Sequence, residues 1–268
     1  MLRPRIIPCL LVKNGGLVKT TRFGVPKYVG DPINAVRIFN EKEVDELMVL
    51  NIDATVLGQQ PDLNLIKNLA VECRMPLCYG GGVKTAEQIE RIISLGVEKV
   101  AISSAAINTP DLISDAAARV GSQSIVVVLD VRKNGGTING YEIYTHNGTH
   151  STGLQPADFA KCAEGLGAGE IVVNSIDQDG VMRGYDLDLI LEVRESIGLP
   201  LTVIGGAASL EDIAALIDSF GIIGAAAGSL FVFKGKFRAV LINYPSRTEK
   251  DSLLSTFSEA NSAESKTG

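Results

Sequence analysis

Tryptophan is absent, aromatic residues make up 5% of the 268 positions, and only two histidines occur. A core built from this chain is therefore aliphatic, drawn from a hydrophobic content of 46%. His146 and His150 have no third residue at metal-ligand spacing, and neither is expected to be catalytic. Cys9, Cys73, Cys78 and Cys162 also lack the tight spacing of a metal site. They are expected as four buried thiols in a reducing compartment, with no disulfide, metal or cofactor. There is no signal-peptide pattern and no apolar run of the ~20 residues that a membrane helix needs, so a cytoplasmic, membrane-free chain is expected. A formal charge of −6 supplies no positive excess to attract nucleic acid.

What is present is repetition. Arg5-Ile6-Ile7-Pro8-Cys9-Leu10-Leu11-Val12-Lys13-Asn14-Gly15-Gly16 is answered by Ser124-Ile125-Val126-Val127-Val128-Leu129-Asp130-Val131-Arg132-Lys133-Asn134-Gly135-Gly136. Glu46 to Asp53 matches Glu170 to Asp177, and Pro76 to Gly82 matches Pro200 to Gly206, both at one constant offset. Val100 to Ser104 pairs with Gly224 to Gly228 at that same offset. Repetition of this kind describes a chain made of two similar halves.

Each half reads as four strand-helix units. The predicted strands are 6–11, 47–51, 77–79, 100–103, 125–130, 171–174, 201–204 and 223–226, short and apolar on both faces as strands covered by helices should be. Between them lie amphipathic stretches: Ile89, Ile92 and Ile93 share one face after a Thr85 cap, and Leu210, Ile213 and Ile217 share another after Ser209. Eight such units predict a (β/α)8 TIM barrel built from two half-barrels, a fold of about 250 residues. An open doubly wound sheet explains the register of the halves poorly. One barrel over residues 1–244 is expected, followed by a polar, flexible tail over 245–268.

In such a barrel the chemistry sits at the C-terminal strand ends. Lys13, Asn51, Asp53, Asp130, Ser175, Asp177 and Asp179 fall there. Asp130 stands out, because a run of Val126-Val127-Val128-Leu129 has little structural reason to end in a carboxylate. Asp53 and Asp177 are repeat-equivalent and either orient loops or contact ligand hydroxyls. Lys13 and Lys19 either meet anions at the mouth or remain solvated.

Phosphate signals come in pairs. Gly80-Gly81-Gly82 and Ser103-Ser104 close the third and fourth strands, while Gly205-Gly206 and Gly228-Ser229 close the seventh and eighth. Glycines allow close backbone approach and helix N-termini supply amide donors, so a ligand with a phosphate at each end is expected. Strand-to-helix turns are the rival explanation. At the opposite face Arg5, Glu46, Lys99 and Glu170 immediately precede the first, second, fourth and sixth strands, and could form a neutral ring around the lower opening.

Over residues 1–243 the sequence resembles the cyclase subunit of imidazole glycerol phosphate synthase. The resemblance is carried by Arg5-Ile6-Ile7, Gly30-Asp31-Pro32, Asp45-Glu46-Leu47, Gly80-Gly81-Gly82-Val83, Leu129-Asp130, Gly167-Ala168-Gly169-Glu170, Ser175-Ile176-Asp177-Gln178-Asp179-Gly180 and Gly205-Gly206. It implies a glutaminase partner at the lower face, passage of ammonia through the barrel, and reaction with a bisphosphorylated ribulosyl intermediate at the upper face. It makes Arg5, Glu46, Lys99 and Glu170 an ammonia gate and Asp130 a catalytic group. It also implies Lys19, Asn51, Gly81, Gly82, Ser103, Ser104, Asp177, Asp179, Gly180, Gly205, Gly206, Gly228 and Ser229 as the substrate- or phosphate-binding set.

Three positions depart from the family pattern. Leu11 stands where a second catalytic aspartate is expected, Asn51 where an aspartate is expected, and Ser103 where an asparagine is expected. An aliphatic group transfers no proton, and such groups commonly contribute 10²- to 10⁴-fold in rate. The departures favour a paralogue, similar to the cyclase-type proteins of surface-polysaccharide gene clusters, that passes ammonia toward a separate sugar amidotransferase making an acetamidino sugar. A histidine-pathway cyclase using Asp130 with Asp53, Asp177 or water is one alternative. A noncatalytic scaffold that activates the glutaminase is another.

Overall fold

The computed structural model describes residues 3–135 and 140–253. Eight parallel strands close on themselves: β1 (Arg5–Lys13), β2 (Leu47–Asn51), β3 (Leu77–Gly80), β4 (Lys99–Ile102), β5 (Ile125–Lys133), β6 (Glu170–Ser175), β7 (Leu201–Ile204) and β8 (Gly224–Ala227). Each pairs with the next. Closure runs from β8 to β1, from Arg5↔Gly224 to Pro8↔Ala227. With helices around it, this is the expected (β/α)8 barrel, and closure leaves its strands no free edge.

β1 and β5 run further than their apolar stretches, because an antiparallel arm extends each beyond the rim. Gly16–Lys19 folds back on β1, and Tyr141–Thr145 folds back on β5. The second arm is a hairpin that follows the fifth strand. His146 lies in its turn and His150 in its short return strand, with their rings 4.5 Å apart.

The longer helices are α1 (Pro32–Glu41), α2 (Leu63–Glu72), α3 (Ala86–Ser94), α4 (Asp111–Val120), α5 (Pro156–Gly165), α6 (Leu187–Ser196) and α7 (Leu210–Phe220). Thr85 and Ser209 form capping boxes with Gln88 and Asp212, satisfying amides that the first turn leaves orphaned. Ile89, Ile92, Ile213 and Ile217 are buried as expected, while Ile93 and Leu210 are partly buried against the same core. Fully burying such a side chain contributes about 1.5–3 kcal/mol. No helix among the described residues is long and apolar enough to cross a membrane.

The unit after β8 departs from the strand-helix pattern. A single turn, Ser229–Val232, leads into a small hairpin in which Phe233–Lys234 pairs with Ala239–Val240. Gly235, at φ +73°, lies between these strands, where an L side chain would be strained. The chain then returns to the base of the barrel. The Tyr244 hydroxyl donates to the Ile6 carbonyl at 2.9 Å, and Lys250 Nζ lies 3.0 Å from Asp45 Oδ1. Residues 247–253 are helical, and the remainder of the expected tail, 254–268, lies outside the described residues.

Two apolar layers result. The larger lies between strands and helices, and the smaller fills the barrel interior with Ile7, Cys9, Met48, Cys78, Val126 and their neighbours. The expectation of four buried thiols needs correction. Cys9 and Cys78 are buried, Cys73 is half-buried, and Cys162 is exposed. Cys162 falls between the inward positions of α5, which are Phe159, Ala160 and Ala163.

Candidate functional site

At the base, four charges close the interior from below. Arg5 Nη2 donates to Glu170 Oε1 at 2.7 Å, and Arg5 Nη1 is hydrogen-bonded to Glu46. Lys99 Nζ reaches both Glu46 oxygens at 2.9 Å and Glu170 Oε2 at 2.8 Å. The sequence places each residue at the N-terminal start of a strand or just before it, so barrel closure brings the four together. Burial disfavours the charge on Arg5 and on Lys99, but the two carboxylates more than offset it and both pKa values rise. Burial acts likewise against Glu170, yet Arg5 and Lys99 hold its pKa below the usual carboxylate range. Thr202 completes the ring, since its hydroxyl donates to Glu170 Oε1 at 2.6 Å. Sequence reasoning misses Thr202, because a threonine inside Leu-Thr-Val-Ile reads as an ordinary β-branched strand residue.

At the other end of the interior lies a cavity of about 270 Å³. Lys19, Asn51, Gly81, Gly82, Ser103, Ser104, Asp130, Asp179, Gly180, Gly205, Gly206, Gly228 and Ser229 all line it. Ser104–Asn108 and Ser229–Val232 begin at its wall from β4 and β8, on opposite sides of the barrel, and neither helix start is closed by a side-chain cap. Glycine is required at the rim by packing alone. A Cβ on Gly206, at φ +112°, would stand 2.0 Å from the Gly184 carbonyl oxygen.

Asp177 is not among the lining residues. Its Oδ2 accepts the Lys133 amide at 2.8 Å, just as Asp53 Oδ2 accepts the Asn14 amide at 3.2 Å. These repeat-equivalent carboxylates tie down the loops that follow β5 and β1, and Asp53 also pairs with Lys13 at 3.1 Å. Asp179 does line the cavity, and its Oδ2 accepts from the Thr20 hydroxyl at 2.7 Å and the Phe23 amide at 3.1 Å. Lys19 is buried, with Nζ donating to the Cys9 carbonyl at 2.7 Å, and burial lowers its pKa. It occupies the space beside Gly228, where a Cβ would approach Nζ to 1.9 Å.

Asp130 is half-buried at the floor of the mouth. Burial pushes its pKa up to about 7, with Asp179 adding to the rise, while Asn174 and the nearby Ser103 hydroxyl oppose it. Asn174 Nδ2 donates to Asp130 Oδ1 at 2.9 Å. The sequence gives one signal for Asn174, a polar residue ending an apolar strand, but its repeat counterpart is Leu50 and the pattern reads as core. Leu11 and Leu50 line the same cavity from the first half.

Fold and site define a two-ended (β/α)8 barrel: an ion-paired base, an apolar interior, and a polar mouth holding a carboxyl poised near neutral pH. A sequence model of the histidine biosynthesis protein family matches residues 5–238, and the chain belongs to that family. It is 56% identical over 254 residues to the putative imidazole glycerol phosphate synthase subunit HisF of Leptospira interrogans, covering 95% of this chain and 100% of that protein. A putative imidazole glycerol phosphate synthase subunit hisF3 of Vibrio vulnificus is 57% identical over 256 residues, 95% of this chain and 97% of the relative. The putative subunit hisF2 of Pseudomonas aeruginosa is 51% identical over 251 residues, 94% and 99% of the two chains.

Proposed function

We propose that this chain is the synthase subunit of an imidazole glycerol phosphate synthase-type enzyme. Ammonia released by a glutaminase docked at the base passes the Arg5/Glu46/Lys99/Glu170 ring, crosses the apolar interior, and reacts at the mouth with a phosphorylated ligand. The observation that carries this reading is Asp130: a carboxyl with a pKa of about 7, at the polar end of an otherwise apolar interior. A group titrating near the operating pH is suited to moving protons during ammonia addition and ring closure. The relatives, described as putative imidazole glycerol phosphate synthase subunits, support the same substrate class. Lys19, Asn51, Ser103, Asp179 and Gly180, with the Gly81-Gly82/Ser104 and Gly205-Gly206/Gly228-Ser229 edges, are the proposed ligand contacts. Asp177 acts on the Lys133 loop. The test is formation of imidazole glycerol phosphate from the bisphosphorylated ribulosyl substrate and an ammonium salt. No product from folded chain at saturating ammonia would overturn the cyclase reading.

One observation favours a second reading. Leu11 and Leu50 present an apolar wall opposite the polar one, so a second proton-transfer group is missing from that side. On this reading the barrel passes ammonia to a separate sugar amidotransferase that makes an acetamidino sugar. Glutamine-dependent amidination in a mixture of glutaminase, barrel and sugar amidotransferase, abolished by Glu170→Ala, is its expected signature. Amidination that survives a broken ring would instead mark the barrel as a scaffold that activates the glutaminase.

A further inference from the structure

The register of the barrel pairs Asp130 with Asn174 on neighbouring parallel strands β5 and β6. The matching register on β1 and β2 pairs Leu11 with Leu50. One half of the barrel thus carries a carboxyl-amide pair where the other carries two leucines. Asn174 is 6% exposed, so its amide has little access to solvent. Nδ2 is engaged by Asp130, but Oδ1 is buried with no hydrogen-bond partner among the described residues. Leaving such a carbonyl unpaired costs roughly 1–3 kcal/mol, so a group retained this way at a cavity wall has a use for the acceptor.

We infer that Asp130 and Asn174 act as one proton-responsive unit that reverses the polarity it offers the mouth. When Asp130 is ionised, Asn174 Nδ2 donates to it and Oδ1 is left as an acceptor, suited to an N–H of ammonia or of the bound ligand. When Asp130 is protonated, its O–H donates to Oδ1; the amide rotates about its last bond, and Nδ2 becomes the free donor. An asparagine amide serves both states because it carries a donor and an acceptor on opposite sides. Asn174 is accordingly a positioning residue for Asp130. The other groups near Asp130 are the Asp179 carboxylate, the Cys9 thiol and the Ser103 hydroxyl. Lys19 is the cation nearest Cys9 and Asp179, Tyr144 pairs with Asp130 across the hairpin, and Arg132 lies over the Tyr144 ring. The Ser103 hydroxyl also combines a donor with an acceptor, but it is Asn174 that stands at hydrogen-bond distance from the Asp130 carboxyl, at 2.9 Å, while the Ser103 oxygen makes no such bond among the described residues. The inference rests on the mouth being the ligand site, but its test needs no ligand.

The experiment is a carboxyl and side-chain amide NMR titration of the unliganded chain, with Asp130→Asn used to assign the carboxyl signal. The Asn174 side-chain resonances should titrate with the same midpoint as Asp130. In Asn174→Leu the Asp130 midpoint should rise by about one pH unit, because a donor to the ionised form is lost. In Asn174→Gln, which keeps the amide, it should move less than in the leucine variant. Asn174 resonances that do not follow Asp130, or a midpoint unchanged in a folded Asn174→Leu chain, would overturn the inference. The wild-type measurement decides even if a variant fails to fold. A chain that shows the coupling but makes no imidazole glycerol phosphate would overturn the cyclase reading alone.

Discussion

Leu11 lies in register beside Leu50 on the adjacent strand, and both side chains pack on the upper end of the barrel interior. This apolar pair faces the cavity that holds Asp130. Leu11→Asp should restore a proton-transfer group on the first half, raising ammonia-dependent imidazole glycerol phosphate formation by about 10²-fold or more. The variant should lose about 1 kcal/mol of stability, because a carboxylate replaces a side chain packed on apolar neighbours. Unchanged turnover in folded protein would show that Leu11 is not what limits cyclisation.

Asp130 makes the fold sensitive to pH in a particular direction. Its folded pKa of about 7 lies above the ordinary value of 3.8, so the folded chain keeps a proton that the unfolded chain has lost. Its contribution is therefore fully present below the ordinary value and fades as pH rises to about 7. Asp130→Asn removes that dependence. The variant should be more stable than the parent at pH 8, by up to about 4 kcal/mol, and equal to it near pH 3.5. Urea midpoints at the two pH values check this, and an equal difference at both would contradict it.

Breaking the basal ring should be costly because its members are partly or wholly withdrawn from water. Glu170→Ala leaves Arg5 and Lys99 facing only Glu46, and should destabilise the chain by about 3 kcal/mol. Glu170 has a lowered pKa, so its contribution is present above the ordinary carboxylate range and lost as pH falls through the folded value. The gap between parent and variant should accordingly narrow in acid. Thr202→Val, which removes one hydrogen bond to Glu170, should cost about 1 kcal/mol.

Glycines at positive φ divide into two kinds. Gly206→Ala forces a Cβ to within 2.0 Å of the Gly184 carbonyl oxygen at φ +112°, and should cost more than about 2 kcal/mol. Gly153→Ala, at φ +73° with nothing within 4 Å, should cost about 1 kcal/mol from backbone strain alone. Denaturant midpoints at a common slope separate the two. Similar losses would mean that the loop carrying Gly184 yields to the added methyl.

The barrel is legible in the sequence because buried parallel strands are apolar on both faces and recur in a fixed order. Val126 to Leu129 and Ile171 to Val173 could hardly be anything else. The limits of β1 and β5 are not legible from apolar runs, since the antiparallel arms that extend them are polar at the turn. The eighth unit is misread for a related reason: a repeat predicts a helix, but Lys234-Gly235-Lys236 turns the chain into a hairpin. Most of the mouth follows from strand-end position alone. Asp177 falls outside the lining because its short side chain reaches a backbone amide first. Asn174 and Thr202 escape notice because each sits in an apolar strand, and its value depends on a neighbour distant in the chain.

The return of the chain to its starting point has a mechanical consequence. β8 meets β1 along a short parallel seam, and parallel strands resist shear only through the hydrogen bonds they share. From the far end of the chain Tyr244 bonds Ile6 on the first strand, and Lys250 bonds Asp45 just before the second. A pull applied between residues 3 and 250 therefore meets these bridges before the seam. The barrel is latched shut by the last stretch of chain described, like a hoop whose overlap is pinned.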